Sequence, residues 1–161
     1  MPGLCVVNTS PLQYLFRVNQ LGLLKDLFEA VLVAEGVRAE LDRGRSQGSQ
    51  VPDLSSVDWL QVLAAAPEPI PPELEGLGRG EAETILVAKQ QRAEWVVLDD
   101  LEARRAARKL GVQVIGTVGI LAMAKEQGLI PVVRPLIADL IAAGFWLSAR
   151  VQRDILELAG E

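Results

Sequence analysis

The sequence predicts an α/β protein in which helices pack on a mainly parallel sheet. Short apolar runs that suit buried strands alternate with amphipathic segments, which is the order expected of parallel strands joined by helical crossovers. Aromatic residues make up only 4% of the chain and hydrophobic residues 50%, so the core must be built from aliphatic side chains. Since 161 residues suffice for one substantial core, we expect a single domain over residues 1–161.

Three strands are predicted in the first half of the chain. Residues 3–7 and 31–33 are short apolar runs suited to buried strands, and residues 59–63 suit an edge strand. Between the first two strands, Ser10 followed by Pro11 predicts a helix start, with the hydroxyl as the cap and a proline where no N–H is needed.

Helices and connectors complete this half. Apolar stripes predict two helices within residues 12–28, and residues 35–43 form a third. Residues 44–56 are a polar loop rich in glycine and serine, and residues 67–80 are a connector rich in proline and glycine.

The second half alternates more regularly. Its predicted elements are a helix over 80–91, a strand over 95–100, a helix over 101–111, a strand over 112–116, and helices over 117–128, 135–143 and 148–159. Gly111 and Gly128 are placed to end their helices, and Ser148 is placed to cap the last one.

Composition excludes several functions. Histidine is absent, which removes the commonest general base and excludes acyl transfer by a His-activated serine or cysteine. The single cysteine, Cys5, is expected to be a buried thiol and suits a reducing cytoplasm. No membrane span or signal peptide is visible. The formal net charge is −5, so a nucleic-acid partner would have to be held locally, by a basic patch or through metal ions.

Polar side chains follow two of the predicted strands. The carboxyl ends of parallel strands share one edge of a sheet, which places Asn8, Asp99 and Asp100 on the same rim. Three glutamates can converge on this rim if the sheet is wound in that way: Glu40, Glu81 and Glu83. Crowded carboxylates need a cation, and oxygen ligands favour Mg²⁺ or Mn²⁺. Such an ion activates water for attack on phosphorus without any histidine.

Each acid also has an ordinary structural interpretation. Glu81 suits the start of a helix because of the helix dipole, and Glu83 suits a solvated position. Either aspartate at the strand end could cap the following helix. Glu40 could be ordinary helix surface, and Asn8 could merely turn the chain.

A basic run follows the acidic pair. Arg104 and Arg108 share one helical face, and Arg105 and Lys109 share the adjacent one. These residues could form a solvated face paired with Glu102, or they could contact the phosphates of a nucleic acid.

Four blocks in sequence order resemble the PIN-domain family. They are "VVNTSPLQYL", "VLVAEGVRAEL", "LGRGEAETILVAK" and "VVLDDLEARRAARKLGVQVIGTVGILAMAKEQGLI". The resemblance covers nearly the whole chain and is strongest to a short prokaryotic branch similar to the VapC-type toxin ribonucleases. It implies a three-layer α/β/α fold, acidic residues gathered around Mg²⁺ or Mn²⁺, and cleavage of single-stranded RNA.

The resemblance also implies roles for individual residues. The family's acidic positions fall at Asn8, Glu40, Glu83 with Glu81 close by, and Asp100 or Asp99. Thr9 or Ser10 matches a hydroxyl next to the first acid, and Thr117 matches a position near the same rim. Asn8 stands where the family usually has Asp, so it offers a carbonyl oxygen without charge. We hypothesise that the extra carboxylates of "GEAE" and "LDD" compensate.

The resulting expectation is a metal-dependent endoribonuclease of the toxin-antitoxin type, restrained by a small antitoxin-like protein. The alternative is a binding module for nucleic acid or protein, in which the PIN fold persists and Asn8 has weakened the site. Apolar helix faces over residues 12–28 suggest a homodimer.

Overall fold

The computed structural model describes residues 3–161 and contains a five-stranded parallel sheet in the order β3-β2-β1-β4-β5. The strands are β1 Leu4–Val7, β2 Ala30–Ala34, β3 Leu60–Leu63, β4 Trp95–Val97 and β5 Val114–Ile115. The predicted α/β class is confirmed, and the strand predicted at the sheet edge is β3.

Eight helices in this part of the chain cover the sheet. They are α1 Thr9–Arg17, α2 Leu23–Leu27, α3 Glu35–Ser46, α4 Arg79–Gln90, α5 Leu101–Lys109, α6 Thr117–Glu126, α7 Arg134–Ala142 and α8 Ala149–Leu158. Helix α4 packs against β1, β2 and β4, whereas α6 contacts α1, α2 and α8. Cys5, Val6 and Val7 are all fully buried. Because successive strand residues point to opposite faces, both faces of β1 are covered, as a three-layer α/β/α fold requires.

Several helix ends follow the sequence prediction. Gly111 and Gly128 both have φ of 78° and end α5 and α6, since glycine adopts this left-handed conformation without steric cost. The Ser148 hydroxyl accepts a hydrogen bond from the Val151 N–H at 3.2 Å, which confirms it as the cap of α8.

The start of α1 differs from its prediction. The helix begins at Thr9, and Asn8 precedes it without a capping hydrogen bond from its side chain. Ser10, predicted as the cap, already lies inside the helix, and its hydroxyl donates to Asp99 instead. A tertiary acceptor has therefore replaced the local capping contact.

Other boundaries shift by a few residues. Helix α3 continues to Ser46, into the predicted loop. Strand β4 ends at Val97, because Asp100 already serves as the cap of α5. Strand β5 is shorter than the predicted 112–116.

The apolar residues of α1 and α2 lie in the core instead of on a free face. Leu12, Leu15, Leu24 and Leu27 are at most 1% exposed, and only Phe16 has substantial exposure, at 37%. The exposed apolar faces expected over residues 12–28 are therefore absent. The homodimer predicted from those faces has no support from α1 and α2. Among residues 3–161, no helix combines the length and apolar character needed to cross a bilayer.

Glu161 ties the last turn of α6 to the start of α7. Its carboxylate accepts hydrogen bonds from the Val133 and Arg134 N–H groups at 2.7 and 3.1 Å, and from Lys125 Nζ at 2.9 Å. The Val133 N–H and the Lys125 ammonium lower the pKa of Glu161 from 4.5 to about 2. The charged carboxylate therefore stabilises the folded state.

We predict that Glu161→Gln lowers the free energy of unfolding at neutral pH. A lowered pKa contributes stability that is present above the unfolded value of 4.5 and is lost as pH falls toward about 2. Urea unfolding at a series of pH values should show a deficit that shrinks across this range. Glu157→Gln, at an exposed position of α8, is the matched control. A deficit that stays constant with pH would contradict the electrostatic explanation.

Candidate active site

The candidate site lies where the strand order reverses. From β1 the chain proceeds to β2 and β3 on one side, whereas β4 and β5 lie on the other, so the ends of β1 and β4 flank a crevice of the kind that binds ligands in such sheets. The Asn8 N–H donates to the Val97 carbonyl at 3.0 Å, joining the two strand ends. The shared rim expected for Asn8, Asp99 and Asp100 is therefore present.

Asp99 joins three elements at this rim. Its carboxylate accepts hydrogen bonds from Ser10 Oγ at 2.9 Å, from the Thr117 N–H at 2.8 Å and from Thr117 Oγ1 at 2.7 Å. The Thr117 N–H is the first of α6 and would otherwise have no partner within its own helix. Asp99 thus fixes the starts of α1 and α6 against the end of β4, which gives Ser10 and Thr117 a structural role.

Glu40 faces the site and is not an ordinary surface residue. Its carboxylate accepts hydrogen bonds from Thr9 Oγ1 and from the Gly80 N–H, the latter at 3.2 Å. A Cβ atom added at Gly80 would lie 2.5 Å from Glu40 Oε1 and 2.8 Å from its carboxyl carbon. Glycine at position 80 therefore allows α4 to approach this carboxylate closely.

Glu81 lies near Glu40 and Asp100 and adds a third carboxylate to this part of the rim. One oxygen of Asp100 caps α5 by accepting from the Ala103 N–H at 3.0 Å, as one of the sequence interpretations proposed. Burial raises the pKa of Glu81, and the negative charge of Asp100 raises it further, with a smaller effect from Glu40. These three carboxylates are therefore close enough to repel one another.

Glu83 contacts the start of α3, on the β2 side of the rim. Its carboxylate accepts from the Gly36 N–H at 2.6 Å, at the start of α3, and from Arg79 Nε at 2.8 Å. Helical residues two positions apart face different directions, so Glu81 faces Asp100 whereas Glu83 faces the start of α3. Gly36 follows β2, which pairs with β1, so Glu83 lies toward the β2 side of the rim, and its role as a metal ligand stays a prediction.

Asn8 is buried beside a residue that sequence reasoning missed. It is 6% exposed, and its Oδ1 lies 3.3 Å from the hydroxyl of the fully buried Thr84. That hydroxyl is only 2.6 Å from the Gly80 carbonyl, a local contact typical of threonine within helices. The amide oxygen of Asn8 is thus held only weakly. A polar residue inside the apolar run "TILVA" was the available sequence signal.

The basic run divides into two parts. Arg104 is half-buried, and its Nη1 donates to the Leu98 carbonyl at 3.0 Å. Burial lowers the pKa of Arg104, and so does the nearby charge of Arg108. Arg105, Arg108 and Lys109 are exposed.

The donor atoms at the rim suit a divalent ion, but they are not arranged as a complete coordination site. Within residues 3–161, no three His, Cys, Asp or Glu side chains are arranged so that they could hold a metal ion. The donors at the rim are nevertheless all oxygen atoms, which Mg²⁺ and Mn²⁺ prefer. Burial, and then the negative charges of Asp100 and Glu40, raise the pKa of Glu81, so a cation bound there would favour its charged form. The residues therefore fit a hard cation in donor type and charge, while their own hydrogen bonds hold several of them.

We predict opposite stability effects from two neighbouring substitutions. A raised carboxyl pKa disfavours the charged form, so stability is lost as pH rises above the unfolded value of 4.5. Glu81→Gln removes that penalty and should raise the melting temperature of the metal-free protein at neutral pH, with a smaller effect below pH 4.5. Glu83→Gln weakens the contacts with Gly36 and Arg79 and should cost about 1 kcal/mol, or roughly 2–4 °C.

Thermal unfolding of both variants between acidic and neutral pH tests this pair. Since both variants make the same chemical change within one helix, each controls for the other. A loss of stability in Glu81→Gln at neutral pH would show that Glu81 has a favourable partner there.

Comparison with known proteins identifies the family of the chain. A family model described as "DUF3368: PIN domain" matches residues 4–161. Among solved structures, the chain is similar to a PilT N-terminus domain protein from the hyperthermophilic archaeon Sulfolobus solfataricus P2. The identity is 22%, the match covers 74% of this chain and 91% of that one, and the TM-score is 0.57.

A weaker similarity connects the chain to a domain of a functionally unknown protein from Methanocaldococcus jannaschii DSM 2661. It has 16% identity, covers 72% of this chain and 91% of that one, and has a TM-score of 0.47. No curated protein matches the chain. The archaeal PilT N-terminus structure supports the fold alone, whereas the family match extends over nearly all of the chain. The chain therefore belongs to the PIN domain family, whose members are typically nuclease-like.

Proposed function

We propose that this protein is a Mg²⁺- or Mn²⁺-dependent endoribonuclease that hydrolyses phosphodiesters of single-stranded RNA. The observation that carries this proposal is the meeting of Glu40, Glu81 and Asp100 where the strand order reverses, with the pKa of Glu81 raised by burial and then by the negative charges of Asp100 and Glu40. Membership of a typically nuclease-like family supports the same reaction class. The absence of histidine is compatible with a reaction that needs no imidazole base.

Each residue of the rim would have a distinct task. Glu40, Glu81 and Asp100 would hold the ion, and the amide oxygen of Asn8 would face it without adding charge. When bound, the ion supplies an acidified water and neutralises charge on the phosphate. Asp99, whose two oxygens already accept three hydrogen bonds, would hold the surrounding elements in position.

A second function is favoured by two specific observations. Asn8 lacks the charge of a carboxylate, and the described residues contain no ready-made group of three metal ligands. Both would suit a protein that keeps the fold and binds nucleic acid or protein without cleaving. Metal dependence separates the two functions, because a binding module has no need of the carboxylates.

The toxin-antitoxin role is part of the same proposal. A nuclease of this kind would be restrained by a small antitoxin-like protein.

We predict that Glu81→Gln abolishes Mn²⁺-dependent cleavage although it stabilises the metal-free fold. The activity measurement is cleavage of a labelled single-stranded RNA with Mn²⁺ and with a chelator, and we expect a loss of about 100-fold or more. Glu157→Gln is the matched control. The fold of Glu81→Gln is checked by its melting temperature, so a loss of cleavage cannot be attributed to unfolding. Full cleavage by this variant would exclude the proposed site.

We predict that Asn8→Asp tightens Mn²⁺ binding, because it adds a carboxylate to the rim. Isothermal titration calorimetry on the wild-type protein and on the variant measures the change, with about tenfold tighter binding expected. Asn8→Asp should also lower the melting temperature of the metal-free protein, since it adds repulsion. If the wild-type protein is inactive and Asn8→Asp leaves it inactive, the missing charge was not the limiting defect.

A further inference from the structure

Arg104 and Arg108 form a pair of cations that makes no ion pair in the part of the chain that the structure describes. They lie one turn apart on α5, so their side chains project from the same face. Among residues 3–161, neither guanidinium has a carboxylate oxygen within 4.0 Å. The pairing with Glu102 that would make this an ordinary solvated face is therefore not formed.

Arg104 is held in a fixed position by its surroundings. Its Nη1 donates to the Leu98 carbonyl at 3.0 Å, where β4 has just ended. A Cβ atom on Gly116 would lie 2.6 Å from that same nitrogen and 3.1 Å from Asp99 Oδ1. The guanidinium thus occupies a gap that exists because residue 116 is glycine, and it lies beside Asp99 at the edge of the acidic cluster.

Most of the hydrogen-bonding capacity of Arg104 remains unused. A guanidinium has five N–H donors in a planar fork that matches the oxygens of a phosphate group, and within residues 3–161 only the Leu98 carbonyl accepts from this one. Half-burial has removed part of its water, Arg108 adds a second positive charge nearby, and the opposing effect of Asp99 is smaller than either. Two neighbouring cations of this kind are stabilised by an anion that contacts both.

We propose that Arg104 and Arg108 form a subsite for one phosphodiester group of a polynucleotide, next to the acidic cluster. The identity of this ligand rests on the proposed function. A free phosphate would gain only these two cations and would be repelled by the nearby carboxylates. A polynucleotide can add further contacts along the molecule. Arg105 and Lys109 lie on the adjacent face of α5 and are not part of the subsite.

The test measures binding without cleavage. A fluorescein-labelled single-stranded RNA of about 12 nucleotides is titrated with wild-type protein in a chelator, and fluorescence anisotropy is followed at several salt concentrations. Arg108→Gln carries the test, because Arg108 is exposed and its loss leaves the Leu98 contact intact. Arg105→Gln is the matched control, with the same charge change on the same helix.

We expect Arg108→Gln to weaken binding about 3- to 10-fold at low salt and to reduce the slope of log K against log salt by about 0.7, the value for one phosphate contact on a single strand. Arg105→Gln should change neither quantity measurably. Arg104→Lys keeps the charge but loses the planar fork, so it should weaken binding with little change in slope.

Three results would overturn the subsite. They are an unchanged Arg108→Gln, equal losses in Arg105→Gln and Arg108→Gln, and binding of inorganic phosphate as tight as that of the RNA and equally dependent on Arg108. Because no metal is present, a failure of the proposed nuclease activity leaves this measurement interpretable.

Discussion

The arrangement of the rim depends on the three hydrogen bonds that Asp99 accepts. They come from Ser10 in α1 and from the backbone and hydroxyl of Thr117 in α6. Ser10 is adjacent to Thr9, whose hydroxyl donates to Glu40, and Glu40 in turn accepts from the Gly80 N–H. One carboxylate at the end of β4 is thus linked, through a series of contacts, to the helix that carries Glu81. The site is a consequence of how helix starts are secured to strand ends.

Glu81 differs from the other acids of the rim and its surroundings. Each of those acids accepts a hydrogen bond from a backbone N–H group near a helix start, where negative charge is stabilised: Asp99, Glu83, Glu40 and Asp100. For Glu81, burial and then the negative charges of Asp100 and Glu40 outweigh the favourable Gly78 N–H and raise its pKa. A carboxyl group whose charged form is disfavoured in this way is a candidate for a functional role.

Much of the fold could be predicted from the sequence, because its determinants are local. The apolar runs of β1 and β2 and the glycines that end α5 and α6 depend on neighbouring residues only. The rim that carries Asn8, Asp99 and Asp100 was also predicted, because parallel strands have their carboxyl ends at one edge of the sheet. The role of a single residue was predicted wrongly where it depends on a partner that is distant in the sequence. Ser10 was predicted to cap α1, but its hydroxyl donates to Asp99, which is 89 residues away.

The sequence alone also could not decide whether Glu81 or Glu83 lies beside Asp100. Both lie near the start of α4, and only the rotation of that helix relative to the sheet decides which one lies beside Asp100. That rotation is fixed by burial of Thr84, Ile85 and Val87 and by the close approach at Gly80. The sequence placed Gly80 at the end of the connector rich in proline and glycine, and the structure shows that this glycine also admits a carboxylate from another helix.

The presence of an amide at position 8, instead of a carboxylate, can be explained by the negative charge of the acids around it. The protein must fold before it binds any ion, and each added carboxylate in a half-buried cluster raises the cost of that metal-free state. An amide at position 8 keeps an oxygen donor at the rim without this cost, and the guanidinium of Arg104 beside Asp99 offsets part of the charge that remains. The same two features reduce the attraction for a divalent cation. For the proposed metal site, stability of the metal-free fold and affinity for the ion would therefore be opposed, and the residues at positions 8 and 104 would shift the balance toward the fold.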